Sequence, residues 1–63
     1  MKYSELEAEL KAAGCFVVRK GGNHRIWFSP ITEKKVPLGH HGAKEVPPPT
    51  ERNVRKVSGV KKN

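Results

Sequence analysis

The sequence has little of three features that define whole classes of protein. Cys15 is the single cysteine, and all six acidic residues are glutamates, so aspartate is absent. One cysteine excludes an internal disulfide framework and is typical of a reducing compartment. No apolar run approaches the roughly 20 residues of a membrane span, and the first residues lack the apolar segment of a secretory signal. We therefore expect a cytoplasmic protein with no membrane partner.

The chain is also short, at 63 residues. A domain of this size buries only about 60% of the surface that its unfolded chain exposes. Its core must be small, which argues against a large internal cofactor site and leaves room for a surface groove or a binding face. We expect one domain over residues 1–63 and no cofactor.

Positive charge is what the sequence has in excess. Thirteen lysines and arginines oppose six glutamates, and the formal net charge is +7. Three of the six glutamates stand at positions 5, 7 and 9, so the basic character belongs to the rest of the chain. Such a surplus attracts polyanions, usually nucleic acid, although solubility alone is the alternative explanation. Generic phosphate contacts would come from Lys34, Lys35, Arg52, Arg55 and Lys56.

The hydrophobic pattern predicts a helix over residues 4–13. Apolar residues recur there at i, i+4 and i+7, namely Leu6, Leu10 and Ala13. Ser4 is the expected N-cap, and Glu7 would complete a capping box. Glu7 and Lys11 would also form an i,i+4 pair on the solvent side. Gly14 is a natural stop.

Three strands are predicted next, over residues 15–19, 24–28 and 34–38, because these runs are rich in aromatic and β-branched residues. The turn between the first two is Gly21-Gly22-Asn23, and Pro37 restricts the third strand to a sheet edge. The prolines at 47–49 favour extended backbone, after which Thr50 would cap a short helix through about Val57. The tail from Val60 is expected to fray.

This order predicts an α+β fold, α-β-β-β-α, with two helices on one face of a three-stranded antiparallel sheet. Alternation in the second strand groups His24, Ile26 and Phe28 on one face and Arg25 and Trp27 on the other. If Ile26 and Phe28 face the helices, Trp27 lies on the open side, where it could stack a base. The alternative, which we favour, is a Trp27 that belongs to the core or faces a partner. The first assignment would put His24 nominally on the core face.

The ordered set of features resembles the HicA family of bacterial toxins over roughly residues 2 to 60. The features are a capped helix, KYSELEAELKAAG, a turn with a histidine, GGNHRIW, the pair Val36-Pro37 with histidines just beyond, and a closing helix that begins at a threonine. The resemblance implies a fold similar to double-stranded RNA-binding domains. It also implies metal-independent cleavage of messenger RNA, with His24 as the catalytic residue by position, and a cognate HicB-like antitoxin that covers the active site.

The chemistry of RNA cleavage suits a histidine. Without a metal, the 2′-OH of RNA attacks the adjacent phosphorus, which requires a base for its proton and an acid for the departing 5′-oxygen. Imidazole serves either role near neutral pH. One histidine cannot do both at once, so a lysine, an arginine or water must assist His24. The alternative is a polar strand-entrance histidine that is hydrogen-bonded to a turn carbonyl.

The turn before His24 is the predicted phosphate site. Turn amides at Gly22 and Asn23 can approach a phosphate closely, and Lys20 and Arg25 supply charge beside them. These residues would also make an ordinary hairpin turn, and the two interpretations are compatible. His40 and His41 are adjacent and have no further cysteine, histidine or aspartate at zinc-like spacing, so we expect no metal.

Two other classes of function fit the same sequence. One is a non-catalytic RNA-binding module of this fold, which would bind duplex RNA by shape and show strong salt dependence without turnover. The other is a basic structural component of a ribonucleoprotein. Cleavage that depends on His24 separates an endoribonuclease toxin from both.

Overall fold

The computed structural model describes residues 1–22 and 24–61, which form two helices and one sheet. In chain order the elements are α1 (Tyr3–Ala12), β1 (Phe16–Gly21), β2 (His24–Ser29), β3 (Lys34–Gly39) and α2 (Pro48–Ser58). The sheet is antiparallel in the order β1-β2-β3, so β2 is central and Pro37 lies on an edge strand, as predicted. The predicted α-β-β-β-α fold is confirmed. Asn23, Lys62 and Asn63 lie outside the described residues.

One apolar core lies between the two helices and a single face of the sheet. Its buried members include Leu6 and Leu10 of α1, Trp27 of β2, Val36 and Leu38 of β3, and Val54 of α2. Trp27 and Val36 are register partners, and Leu38 follows Val36 on the same side of β3. Both helices therefore pack on the same sheet face, and no described residue forms a helix on the opposite face.

The first turn of α1 is held by the loop before α2. The backbone N–H of Tyr3 donates to the carbonyl of Lys44 at 3.0 Å, and that of Ser4 donates to the carbonyl of Gly42 at 2.9 Å. The side chain of Glu5 accepts from the N–H of Lys2 at 2.8 Å. The predicted Ser4 cap and its capping box with Glu7 are wrong, because the helix begins at Tyr3 with Lys2 as its N-cap and Glu5 in the capping box.

The second helix begins earlier than predicted, and the expectation that the prolines exclude helix is wrong. Pro48 and Pro49 occupy its first two positions, where a backbone N–H has no acceptor within the helix and proline fits. Thr50 is thus a helical residue and not the cap. Gly59 ends the helix as predicted, with a φ of 75° and an N–H bond to Arg55 at 2.8 Å. Val60, expected in a frayed tail, is buried in the core.

The C-terminal end of α2 is tied to the sheet by hydroxyl groups. Ser29 at the end of β2 donates to the carbonyl of Ser58. Thr32 of the following turn donates to the carbonyl of Val57 at 2.6 Å. These bonds satisfy helix carbonyls that would otherwise lack a partner, which fixes a helix of weak intrinsic propensity onto the sheet.

Candidate active site

Strand β2 turns His24 away from the helices. Trp27 is 1% exposed and Ser29 is 0% exposed, so the alternate residues of this strand face the core. His24, Ile26 and Phe28 therefore lie on the opposite side, which we call the open face. Ile26 and Phe28 thus do not face the helices, because the indole of Trp27 offers the larger apolar surface for burial. The exposed position of His24 follows directly from this correction.

Trp27 is a core residue and is not available to stack a base. Its side chain is among the largest that are fully buried, and it packs in the cluster shared by both helices. Its Nε1–H has no hydrogen-bond partner among the residues that the structure describes. The interpretation that favours the core is confirmed.

The open face combines apolar side chains with cations. Phe16 is 53% exposed and Val18 is 46% exposed. The ring of Phe16 lies against that of Phe28, with 5.5 Å between the ring centroids. A shallow groove on this face is lined by Val18, Arg19, Ile26, Lys35 and Pro37. Flat apolar side chains beside positive charge suit an unstacked nucleic-acid strand.

A β-bulge decides which cation of β1 reaches the open face. The register pairs Val17 with Trp27 and then Arg19 with Ile26, so Val18 is the extra residue. Arg19 consequently shares the face of Ile26 and His24. Sequence reasoning did not include Arg19 in the site, and nothing in the run Val-Val-Arg-Lys signals the bulge.

The same register separates two predicted phosphate contacts from His24. Lys20 pairs with Arg25, and Arg25 belongs to the face that meets the helices. The guanidinium of Arg25 lies 3.6 Å from a carboxylate oxygen of Glu7. Lys20 is exposed at the strand end. The structure thus brings His24 together with Arg19 rather than with Arg25.

Gly22 has the conformation of a turn glycine, which an ordinary hairpin turn also requires. Its φ is +55°, a conformation that favours glycine, and no atom lies within 4 Å of the position that a Cβ would take. The space above this turn is therefore open to a ligand beside His24. Asn23, the other predicted turn contact, lies outside the described residues.

The neighbouring histidines His40 and His41 have different surroundings. Nδ1 of His40 lies 3.1 Å from a carboxylate oxygen of Glu7. Glu7 is 8% exposed, so its predicted place on the solvent side with Lys11 is wrong. Its burial is compatible with its charge because Arg25 and His40 both approach it.

His41 contacts Tyr3 rather than Glu7. Its ring meets the ring of Tyr3 edge-on, with 4.8 Å between centroids and 72° between planes. Its Nε2 lies 2.6 Å from the position that a Cβ on Gly39 would occupy. The described residues contain no group of three or more side chains that could hold a metal ion.

Arg55, a predicted phosphate contact on the solvent side, is used inside the fold. Its guanidinium lies 3.0 Å from Glu9 of α1 and 2.9 Å from Glu51 one turn earlier in α2. The hydrogen bond that Arg55 donates to Glu9 raises the pKa of Arg55 above its ordinary value, and Glu51 adds to this effect. Arg55 joins the two helices, and its charge is neutralised by Glu9 and Glu51 rather than available to bind RNA.

A family model described as the HicA toxin of bacterial toxin-antitoxin matches residues 3–60, nearly the whole chain. The small α+β domain with a histidine on its open face is thus a toxin of a toxin–antitoxin system. The chain belongs to the HicA toxin family. No curated protein and no solved structure gave a significant match. Neither helix in the described part of the chain has the length and apolarity to cross a membrane.

Proposed function

We propose that this toxin is a metal-independent endoribonuclease that cleaves messenger RNA in the cytoplasm and is neutralised by a HicB-like antitoxin. The observation that carries the proposal is the exposed imidazole of His24, which stands on a cationic and partly apolar sheet face in a chain of the HicA family. His24 acts as the general acid or base on the scissile phosphodiester.

Recognition of the RNA uses the residues around His24. Backbone groups at Gly22 contact a phosphate because no side chain covers the turn. Arg19 and Lys35 add phosphate contacts along the open face. Phe16, more than half exposed, stacks an unpaired base. This arrangement favours single-stranded or locally unpaired RNA.

The phosphate contacts predicted from the sequence differ in how well the geometry supports them. Lys20 is exposed at the end of β1, where it can reach the backbone of an RNA that enters over the turn. Asn23 remains a predicted contact from the sequence. Arg25 acts on the site indirectly, since its charge faces Glu7 rather than solvent.

The test is cleavage of a labelled messenger RNA by purified toxin, with and without EDTA. Wild-type protein should cleave equally in both conditions. His24→Ala should lose about 100-fold or more of the rate, the contribution typical of a positioned acid or base. The matched control is His40→Asn, which removes an imidazole that is engaged with Glu7 and should retain activity. Undiminished cleavage by His24→Ala would contradict the assignment, and loss of cleavage in EDTA would contradict the metal-free mechanism.

A protein partner accounts for the apolar part of the open face. Exposed apolar side chains grouped with Phe16 and Val18 are typical of an interaction surface. Expression of the toxin alone should arrest growth, and co-expression of a small acidic protein from the adjacent reading frame should relieve the arrest. His24→Ala should be harmless to growth yet still bind that acidic protein. A partner that protects cells without binding the toxin would argue against direct neutralisation.

The second candidate is a non-catalytic RNA-binding module, which the net charge of +7 favours. It would bind RNA with strong salt dependence, produce no cleavage products, and be unaffected by His24→Ala. The cleavage assay above therefore decides between the two functions.

A further inference from the structure

RNA cleavage by an internal 2′-OH places the entering and leaving oxygens on opposite sides of the phosphorus. A single imidazole at His24 cannot serve both, so the proposed endoribonuclease needs a second proton-transfer group. The inference below rests on that proposed function and identifies this group.

The sheet register brings a second histidine next to His24. Gly39 is the direct cross-strand partner of His24, and paired residues carry their Cβ atoms on the same face. Nε2 of His41 lies 2.6 Å from the Cβ position of Gly39. Since paired Cβ atoms are about 5 Å apart, Nε2 of His41 lies within about 8 Å of the Cβ of His24. A phosphate that lies beside the imidazole of His24 is then within reach of Nε2 of His41.

Contacts of the loop after β3 explain why His41, and not His40, reaches this place. Leu38 is buried in the core, Gly39 pairs with His24 across the strands, and Nδ1 of His40 lies 3.1 Å from Glu7. His41 is the next residue of this loop. Its ring lies over Gly39, where only a glycine leaves room for it, and the ring of Tyr3 holds it edge-on.

The other polar groups near His24 do not suit the role. Arg25 and His40 are engaged with Glu7. Arg19 shares the open face, but a guanidinium stays protonated in proteins and does not give up its proton. Lys35 pairs with Phe28, four residues along β2, which is about 13 Å from His24 along the strand. Arg19 can stabilise charge on the phosphate, and Lys35 can bind a neighbouring phosphate.

We propose that His41 is the second catalytic imidazole of this site and acts with His24 on one phosphodiester. One imidazole accepts the proton of the 2′-OH while its oxygen bonds to phosphorus. The bond from phosphorus to the 5′-oxygen breaks, and that oxygen takes a proton from the other, protonated imidazole. The products are a 2′,3′-cyclic phosphate and a free 5′-OH, and no further reactant is required.

The test uses two RNA substrates with the same cleaved linkage, one ordinary and one with sulfur in place of the bridging 5′-oxygen. A thiolate leaves without protonation because thiols are far more acidic than alcohols, with a pKa of about 8.5 for cysteine. The sulfur substrate therefore removes the need for the acid and leaves the need for the base. The proteins compared are wild type, His24→Ala, His41→Ala and the control His40→Asn.

On ordinary RNA, His41→Ala should lose about 100-fold of the rate, as His24→Ala does, while His40→Asn stays near wild type. On the sulfur substrate, one of the two alanine variants should recover most of its rate, which identifies its histidine as the acid. Wild-type rates for His41→Ala, or equal defects of both variants on both substrates, would overturn the role of His41 alone. A wild-type protein that cleaves neither substrate would overturn the proposed function itself.

A second variant moves His41 without removing it. Gly39→Ala would place a Cβ at 2.6 Å from Nε2 of His41, so the ring must swing away. The backbone of Gly39 is not in the left-handed region, and alanine should therefore fold normally at this position. Gly39→Ala should reduce cleavage of ordinary RNA at least tenfold with an unchanged unfolding midpoint. Full activity in this folded variant would contradict a catalytic position for His41.

Discussion

The face of the sheet that meets the helices and the face that meets solvent are built from the same three strands but treat charge in opposite ways. On the helix side, charges are neutralised: Glu7 lies beside Arg25 and His40, and Arg55 beside Glu9. On the open face, the described structure shows no ion pair for Arg19 or Lys35. Neutralised charges contribute to folding, and unpaired ones remain available to a ligand.

Apolar side chains follow the same division. Trp27 is almost completely buried on the helix side, whereas Phe16 is 53% exposed on the open face. A domain of 63 residues has a stability of roughly 3–9 kcal/mol at typical values per residue. An aromatic ring that stays exposed in so small a domain does not contribute the free energy that its burial would give. The comparison indicates that one face is used for stability and the other for binding, and substitutions can test it.

The largest effect is expected at Trp27. Replacing it with alanine should cost about 3–5 kcal/mol, a large part of the roughly 3–9 kcal/mol expected for the whole domain. Phe16→Ala, the matched removal of an aromatic ring from the open face, should cost under about 1 kcal/mol. Urea unfolding followed by circular dichroism measures both. Similar losses of unfolding free energy in the two variants would show that both faces contribute equally to stability, which would contradict the proposed division of roles.

A phenylalanine at position 27 sharpens the result. Trp27→Phe reduces packing but also removes a buried N–H that has no partner among the described residues. Both variants lose this donor, whose burial without a partner costs about 1–3 kcal/mol, so the difference between them measures the packing of the ring. Trp27→Phe keeps most of that packing and should recover most of the stability lost in Trp27→Ala, and a phenylalanine variant as unstable as the alanine variant would contradict a packing role for the ring.

The next effect is expected at Arg55. Arg55→Met should cost roughly 1–3 kcal/mol because it leaves Glu9 and Glu51 without their shared cation, in a position that solvent partly reaches. Arg52→Met, an exposed neighbour on α2, should change little. Thermal unfolding of the two variants makes the comparison. Equal midpoints would show that the Arg55 cluster adds nothing to the docking of the helices.

The stabilisation that Arg55 gives to this cluster is expected to disappear only at strongly alkaline pH. Glu9 and Glu51 raise the pKa of Arg55 above its ordinary value, so the stabilisation is fully present below the ordinary arginine pKa and is lost only as the pH rises through the raised pKa. The difference in stability between wild type and Arg55→Met should therefore stay constant from pH 7 to about pH 10. A difference that shrinks over this range would contradict the role of Arg55 as the charged partner.

Much of the fold could be predicted from the sequence because its signals are local. The spacing of Leu6 and Leu10, the turn glycines and the stop at Gly59 specify the elements in order. Two features depend on tertiary contacts instead. Proline at positions 48 and 49 is compatible with either extended backbone or a first helical turn. Ser4 is a good N-cap residue, but the helix begins before it, and loop carbonyls accept hydrogen bonds from the N–H groups of Tyr3 and Ser4.

The site was less predictable because faces depend on register. Alternation grouped His24 with Ile26 and Phe28 correctly, but only the packed core shows that Trp27 is the inward member. The bulge at Val18 then moves Arg19 onto the open face, and no residue in this part of the sequence predicts a bulge. The nearness of His41 to His24 depends on a cross-strand pair and on the missing side chain of Gly39, so spacing along the chain could not reveal it.

A smaller effect is expected when the charge of Glu7 is removed. Glu7→Gln should cost roughly 1 kcal/mol, since Arg25 and His40 keep some access to water. The exposed residue Glu33 provides the control, and Glu33→Gln should be neutral within about 0.5 kcal/mol. RNA cleavage should be unchanged in both, because Glu7 lies on the helix side. A loss of cleavage in a stable Glu7→Gln protein would show that charge on one face controls chemistry on the other.

The smallest effect concerns single cations of the open face. In a His24→Ala background, which we expect to bind RNA without cutting it, Arg19→Ala should weaken binding of a short single-stranded RNA several-fold. The slope of log affinity against log salt should fall by about 0.7, the value for one phosphate contact on a single strand. Lys11→Ala on the exposed side of α1 is the matched control and should leave the slope unchanged. Fluorescence anisotropy at several salt concentrations measures both. Equal slopes for the two variants would mean that RNA does not distinguish the open face from the helix side, and the division of roles between the faces would then concern stability alone.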